Sequence, residues 1–377
     1  MSKAVRPYTF LLTGGGTGGH IYPAIAIADA LRSVQGDARI AFAGSRDRIE
    51  WKAVPKAGYD IHPIWISGIQ RRLTLSNLLV PVKLIVSLIQ SFFIIQKMKP
   101  DAVICTGGYV SGPVGWMAAK RSVPVFLQEQ NSFPGVTTRM LSGFAARVFT
   151  AFEQAERHLP KAKGRISLLG NPTRKEIAQS NATSAHASFG LQPDKRTVLI
   201  LGGSGGAAAV NDAVLLNLNT LHSEMNLQLI WQCGPRYLES LESKIDASNY
   251  SGLHLTKFID NMAEAYATAD IVITRAGAGI CTELLIAGKP SVLMPSPNVA
   301  GDHQRQNASA MAEGKAAIIL EDKDASEKLP EVLKGLMASP EKLQQMKQAA
   351  LSMAKPDAAA QIAAEITDIL DNRRKSN

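Results

Sequence analysis

Short apolar runs alternate with stretches of helical periodicity along the whole chain, a pattern that predicts an α/β fold built on parallel strands. In the first half the strand candidates are "YTFLLT", "ARIAFAG", "DAVICTGG", "VPVFLQE" and "RVFTAF". A "GNPTR" turn and the Ser/Ala/Asn-rich "AQSNATSAHASFG", a linker or capping helix, then lead into the second half. There the candidates are "TVLILGG", "LQLIWQCG", "LHLTKFI", "DIVITRAG" and "PSVLMPSP". The halves echo each other: "TFLLTGGGTGG" and "TVLILGGSGGA" each run a hydrophobic strand into glycines and then a helix. The spacing is too long for a solenoid repeat, so the echo predicts two Rossmann-like domains in tandem. Pro356 sets off the tail "KPDAAAQIAAEITDILDNRRKSN" as a final amphipathic helix that packs as a separate strut.

The most hydrophobic region is "LTLSNLLVPVKLIVSLIQSFFIIQKMK", whose run from Leu78 to Ile95 carries a single charge and sits at the edge of transmembrane length. Its polar residues Ser76, Lys83, Ser87, Gln90 and Lys97 fall near one face at helical spacing, which predicts an amphipathic helix. A spanning helix would part the first strand from the others of its sheet. Two uses of the segment stay open. It is a helix buried in the first domain, or it exposes a membrane-docking patch flanked by Arg71, Arg72, Lys83, Lys97 and Lys99.

Composition narrows the function classes. A chain of 377 residues with 46% hydrophobic and 19% charged residues is folded and long enough for two domains. Cys105, Cys233 and Cys281 lie far apart with no C-x-x-C, which argues against a disulfide framework or a zinc site and fits a reducing compartment. No signal-like apolar core precedes the first glycines, so a cytoplasmic location is expected. The net charge of +9 serves ordinary solubility or an anionic partner. With only 6% aromatics and no basic run interleaved with stacking rings, an acidic membrane face fits better than nucleic acid.

Four strand–glycine–helix junctions carry the candidate chemistry: "TGGGTGGH", "TGGYVSGP", "LGGSGGAAAVN" and "TRAGAGICTE". Such junctions bring backbone N–H groups and a helix N-terminus close to phosphate oxygens. Gly14, Gly16 and Gly19 also fit the dinucleotide pattern G-x-G-x-x-G. That pattern needs a carboxylate at the tip of the next strand for the ribose. The tips here are Gly44 and Ser45 in the first half and "IWQCG" in the second, with Asp47 merely near the first. The nicotinamide reading loses ground, and a titration with NAD(P) would test it. Glu283, expected in the first turn of a helix, could accept both ribose hydroxyls or simply favour the helix dipole. His20, at a helix start beyond the first glycines, could act as a general base or bond backbone. The pair Asp322 and Asp324 has the D-x-D form of some metal–nucleotide sites, but its place before "ASEKLPEVL" suits helix capping better.

Together, "GGTGGH", "TGGYVSGP", "EQN", "GNPTR", "LGGSGGA", "FIDNMAEAYATADIVITRAGAGICTE" and "DHQRQNA" resemble, in order and over nearly the whole chain, the MurG family. These are peptidoglycan enzymes that transfer N-acetylglucosamine from UDP-N-acetylglucosamine to lipid I. The resemblance implies a GT-B fold: two Rossmann-like domains with parallel sheets facing a cleft. It implies an acceptor and membrane domain over residues 1–175, a donor domain over 176–355, and a helix over 356–377 returning to the first. By the same resemblance Thr17, Gly18 and Gly19 lie near the donor sugar and diphosphate, and Asn131 contacts the sugar. Arg174 and Ser204 reach phosphates or uridine, and Ile259 meets uracil through its backbone. The helix start Ala278, Gly279, Ile280, Cys281 and Thr282 lies at the donor, Glu283 holds the ribose, and Gln304 binds near sugar and diphosphate. His20 is the candidate base, and Gln128, which stands where many members have His, cannot be the base here.

The implied partners are UDP-N-acetylglucosamine, lipid I, an anionic membrane surface and other cell-wall synthesis and division proteins. No cofactor, metal or nucleic acid is implied, and the implied location is peripheral, on the cytoplasmic face of the plasma membrane. Two rival classes remain: a related transferase acting on another lipid, which would differ in the first-domain loops, and a non-catalytic membrane adaptor, which would release no UDP.

Overall fold

A computed structural model describes residues 6–68, 79–173, 177, 182–299 and 302–376. The chain divides into two compact units, Met1–Thr173 with Asp357–Asn377 and Arg174–Pro356. In the first, strands β1 (Thr9–Thr13), β2 (Arg39–Gly44), β3 (Asp60–Pro63), β4 (Ala102–Cys105), β5 (Val125–Glu129), β6 (Arg147–Thr150) and β7 (Ile166–Leu168) form one sheet. Its order is β3-β2-β1-β4-β5-β6-β7, with every pair parallel. Its helices are α1 (Gly18–Val34), α2 (Glu50–Lys56), α3 (Val80–Met98), α4 (Ser111–Lys120) and α5 (Val136–Leu141).

Successive side chains on a strand serve opposite faces. Phe10 and Leu12 of β1 pack on one face with Phe42, Ile104, Phe126 and Phe149. Leu11 packs on the other with Ala43, Val103, Val125 and Leu127. The chain's last helix spans Ala358–Ser376. Its Ile362, Ala363, Ile366 and Leu370 join Ile21, Ala24, Ile27 and Leu31 of α1 over the first of these faces. The tail is therefore part of this core rather than a separate strut.

The second unit holds β8 (Thr197–Leu201), β9 (Gln228–Gln232), β10 (Leu253–Thr256), β11 (Ile271–Thr274), β12 (Ser291–Leu293) and β13 (Ala317–Ile319). They are parallel in the order β10-β9-β8-β11-β12-β13. The helices are α6 (Ala182–Ser188), α7 (Ala208–Leu216), α8 (Leu238–Glu242), α9 (Met262–Thr268), α10 (Ala278–Ile286), α11 (His303–Glu313), α12 (Asp322–Met337) and α13 (Pro340–Met353), so that the last helix, 358–376, is α14. Val198, Ile200, Trp231 and Ile273 pack against Val210 and Val214 of α7 and Leu329 and Leu333 of α12.

Three strands escaped the pattern: β3, β7 and β13. Each has three or four residues, two of them (β3 and β7) are half-exposed or exposed throughout, and all three sit at or beside a sheet edge. In both sheets the order reverses beside the first strand, at β1/β4 and at β8/β11. Open α/β sheets bind ligands beyond the carboxyl ends of strands at such a reversal. All four glycine junctions lie there.

Helix α3 has the two unlike edges that the spacing of the apolar segment predicts. Its edge of Lys83, Ser87, Gln90 and Ser91 faces the protein, while Lys97 is exposed. Ser87 and Ser91 are buried, their hydroxyls donating to the Leu84 and Ser87 carbonyls at 2.7 and 2.6 Å. Lys83 Nζ donates to Ser67 Oγ at 2.9 Å, and Gln90 Oε1 accepts from the Trp65 amide at 2.7 Å. The outward edge is Val82, Ile85, Ile89 and Phe93, exposed by 48, 60, 52 and 63%. By length and composition the helix could cross a membrane, yet it is one helix of a surface layer that also packs on α4. Ser76, Arg71 and Arg72 lie outside the described residues.

Candidate active site

At the reversal of the first sheet two glycine loops interlock. A Cβ on Gly14 would stand 1.9 Å from Thr106 Oγ1, and one on Gly108 would stand 2.2 Å from the Gly15 carbonyl oxygen. Gly107 and Gly108 also take left-handed φ of +101° and +82°, which side chains resist. The close fit is locked by hydroxyls: Thr106 Oγ1 donates to the His20 carbonyl at 2.8 Å, and Ser111 Oγ to that of Thr13 at 2.9 Å.

His20 sits in the first turn of α1, half-buried against this junction. Its Nδ1 is 3.1 Å from the Thr106 carbonyl oxygen and 3.0 Å from Gln130 Oε1. Thr17 is the residue before the helix, in extended conformation, and makes no side-chain cap. Gly18 and Gly19 thus open the helix with main-chain amides that an α-helix leaves without internal acceptors.

Glu50 was not anticipated. Fully buried at the start of α2, it accepts from the Gly16 amide at 3.0 Å through Oε2 and from the Ser45 amide at 3.1 Å through Oε1. The carboxylate near the tip of β2 therefore braces the glycine loop and takes an amide that a pyrophosphate would need. Asp47, the residue weighed for a ribose, is exposed and pairs with Arg48 at 3.6 Å. A glutamate after a strand tip is a faint signal, because sequence does not show that it turns inward. Glu50→Ala removes the acceptor of the buried Ser45 N–H and of the Gly16 N–H and should cost about 1–3 kcal/mol in denaturant unfolding; an unchanged midpoint would rule out the bracing role.

The "QEQN" stretch at the end of β5 is a hydrogen-bonded knot. Buried Glu129 accepts from the Asn131 amide and side chain at 3.0 and 3.1 Å and from the Gly135 amide at 3.0 Å, which shapes the turn that presents Asn131. Gln128 donates to Asn171 Oδ1 at 2.8 Å, and Asn171 donates to the Gln130 carbonyl at 3.0 Å.

In the second unit, Gly203 and Gly206 at φ +76° and +77° turn the loop after β8, leaving Ser204 exposed. A Cβ on Gly206 would stand 2.4 Å from the Cys233 carbonyl oxygen. After β11, Gly277 precedes α10 in extended conformation, with no side-chain cap and no acidic residue in the first turn. Ala278, Gly279 and Ile280 supply the opening amides. Cys281 is buried and its thiol pushed up to about 12 by that burial, so only its main chain is available for chemistry. Thr282 Oγ1 donates back to the Ala278 carbonyl at 2.9 Å.

Glu283 falls in the second turn of α10, not the first, so dipole stabilisation explains it poorly. Tyr266 Oη donates to its Oε2 at 2.9 Å. Burial first, then the nearby carboxylate, holds the Tyr266 hydroxyl well above its ordinary pKa, so it stays a donor. Ile259 is buried beside exposed Phe258, ahead of α9. Gln304 Oε1 accepts from the Ser296 amide at 2.8 Å, which ties α11 to the loop after β12. Asp322 forms a two-pronged ion pair with Arg275, and Asp324 lies 3.5 Å from Lys328, so both carboxylates serve α12 and its neighbours. Arg174 lies outside the described residues.

Residues 10–150 match the glycosyltransferase family 28 N-terminal domain, and residues 197–362 its C-terminal domain. A relative from Salinibacter ruber, a UDP-N-acetylglucosamine–N-acetylmuramyl-(pentapeptide) pyrophosphoryl-undecaprenol N-acetylglucosamine transferase, is 42% identical over 371 residues, 98% of this chain and 99% of its own length. A transferase of the same name from Bacteroides fragilis is 40% identical over 359 residues, 94% of each chain. Among solved structures, MurG of Acinetobacter baumannii superposes with a TM-score of 0.78 at 28% identity, over 96% of this chain and 100% of that one. A UDP-GlcNAc 2-epimerase from Neisseria meningitidis shares the fold alone, with a TM-score of 0.68 at 13% identity over 96% of this chain and 100% of that one. Matched across nearly its whole length by transferases of this name and by both family 28 domains, the chain belongs to the MurG family of glycosyltransferase family 28.

Proposed function

We propose that this protein transfers N-acetylglucosamine from UDP-N-acetylglucosamine to the 4-hydroxyl of the muramoyl sugar of lipid I, with inversion, giving lipid II. The observation that carries this reading is the 42% identity, over 98% of the chain, to a transferase named for that reaction. His20 takes the proton of the 4-hydroxyl, the freed oxygen pair bonds to the anomeric carbon, and the bond to the diphosphate breaks so that UDP leaves. The negative charge that develops on UDP is met by preorganised amides at Ala278, Gly279 and Ile280, with Arg174 and Ser204 reaching its phosphates or uridine. Thr17, Gly18 and Gly19 offer amides near the donor sugar and diphosphate, and Asn131 and Gln304 contact the sugar side. Ile259 meets uracil through its backbone.

Glu283 accepts the ribose hydroxyls, and the Tyr266 bond supports this role by fixing one carboxylate oxygen. Glu283→Gln should raise the KM for UDP-N-acetylglucosamine about tenfold or more, the worth of a charge-assisted hydrogen bond, with little change in kcat. Steady-state kinetics that show an unchanged KM would remove the assignment.

The protein works at the cytoplasmic face of the plasma membrane as a peripheral protein. The exposed apolar edge of α3, with exposed Lys97 and Lys99 at its C-terminal end, supports docking on anionic lipid. Incubation with labelled UDP-N-acetylglucosamine and lipid I, with and without chelator, tests the activity. Labelled lipid II should form in both arms. No transfer would overturn the reaction, and loss with chelator would overturn a metal-free mechanism.

A further inference from the structure

We propose that Gln130 is a positioning residue that, with the Thr106 carbonyl, holds His20 as the tautomer protonated on Nδ1, so that Nε2 carries the lone pair. The inference rests on the reading of His20 as the base, and deepens it by saying which nitrogen acts and what selects it.

The argument follows from donor and acceptor identities. His20 Nδ1 is within 3.1 Å of a main-chain carbonyl oxygen and 3.0 Å of Gln130 Oε1. Both oxygens can only accept, so the ring nitrogen between them must donate. That assignment depends on which way the Gln130 amide points, and its surroundings decide it. Gln130 Nε2 lies 2.7 Å from the Thr106 carbonyl oxygen and 3.2 Å from that of Gln128, and also meets Gln128 Oε1. A flipped amide would set its oxygen against three acceptors. Gln128 is fixed in turn, since its Nε2 donates to Asn171 Oδ1 at 2.8 Å while Asn171 Nδ2 donates to the Gln130 carbonyl at 3.0 Å. These three amides are buried, at 0, 3 and 2% exposure, where an unmatched polar contact is costly. The polarity of the chain therefore propagates in one direction and ends on the imidazole.

Gly107 completes the setting. A Cβ there would stand 2.9 Å from His20 Nδ1, so only glycine lets the ring reach Thr106 and Gln130. When Nε2 takes the proton of the acceptor hydroxyl, the N–H bond forms as the O–H bond breaks. The resulting imidazolium keeps its Nδ1–H bonds unchanged. Both Nδ1 partners are uncharged amide oxygens.

The test reads the tautomer directly. In intact enzyme labelled with 15N-histidine and free of substrate, two-bond 1H–15N spectra should show His20, assigned by its loss in His20→Ala, protonated on Nδ1. A resting Nε2–H form would overturn the proposal whether or not the transferase reaction is confirmed, because no substrate is present. Gln130→Met, of similar length and without polar atoms, should give a tautomer mixture. It should lower kcat roughly 10–100-fold, the usual cost of losing an orienting partner, with the donor KM unchanged. Should that variant fail to fold, the wild-type spectrum still decides the tautomer. A folded Gln130→Met enzyme with a full Nδ1–H population and normal kcat would overturn the role of Gln130.

Discussion

His20→Ala should lower kcat by roughly 10²–10⁴-fold, the range for loss of a positioned general base, and leave the KM for UDP-N-acetylglucosamine nearly unchanged. The split follows from where the side chain sits. Its hydrogen bonds run to Thr106 and Gln130 at the reversal of the first sheet. The residues proposed for ribose and uracil, Glu283 and Ile259, belong to the second unit, and the donor contacts proposed beside His20 are main-chain amides that His20→Ala leaves in place. An interaction made only as the proton moves shows in kcat and in kcat/KM equally, whereas lost donor binding shows in KM. The deletion also leaves the Gln128–Gln130–Asn171 amides bonded to one another, so the fold around the site should survive; circular dichroism and thermal melting check this. His20→Gln, which refills the space without a basic nitrogen, should be as impaired as the alanine variant. A near-normal kcat in either variant would remove His20 as the base.

How much of this was legible in the sequence depended on the physics behind each residue. Strands such as "TFLLT" and "IVIT" are buried along their whole length, so their apolar runs are unmistakable. The glycine junctions were legible because tight backbone approach admits no other residue, as Gly108 against Gly15 shows. The short edge strands were not: "DIHP" of β3 is half-exposed to exposed, ends in Pro63 and offers no apolar signal. Glu50 was missed because a buried carboxylate is stabilised by amides that carry no side-chain signature. His20 stood out by its place after the glycines, but its orienting partner Gln130 is 110 positions away and depends on strand order. Glu283 is expected one turn too early, because the onset of α10 is set by a glycine, Gly277, with no capping side chain. The polarity of α3 was legible and its direction was not. Periodicity tells that a helix has two unlike faces, and tertiary contacts decide which one meets solvent.

The exposed apolar edge of α3 yields the second large effect. The triple variant Ile85→Asp/Ile89→Asp/Phe93→Asp should lose vesicle binding by roughly a hundredfold or more, since removing three half-exposed apolar side chains from a membrane contact forfeits about 3–5 kcal/mol in total. The new carboxylates add repulsion from anionic lipid. Folding should be spared, because the wild-type side chains are already exposed by 60, 52 and 63% and the buried edge of Ser87, Ser91 and Ile95 is untouched. Co-sedimentation with vesicles containing anionic lipid measures the loss directly. Raised salt should weaken wild-type binding further, because each basic residue near the surface adds about 1 kcal/mol of attraction that salt screens. Turnover of a short-chain, water-soluble acceptor should stay close to wild type, while turnover of vesicle-borne lipid I falls with binding. Equal loss on both acceptors would mean that α3 supports the site itself, and undiminished vesicle binding would mean that another surface meets the membrane. The helix keeps its serine hydroxyls and Lys83 turned toward the protein while it exposes isoleucine and phenylalanine to water, an arrangement that an apolar surface of lipid would relieve and water does not.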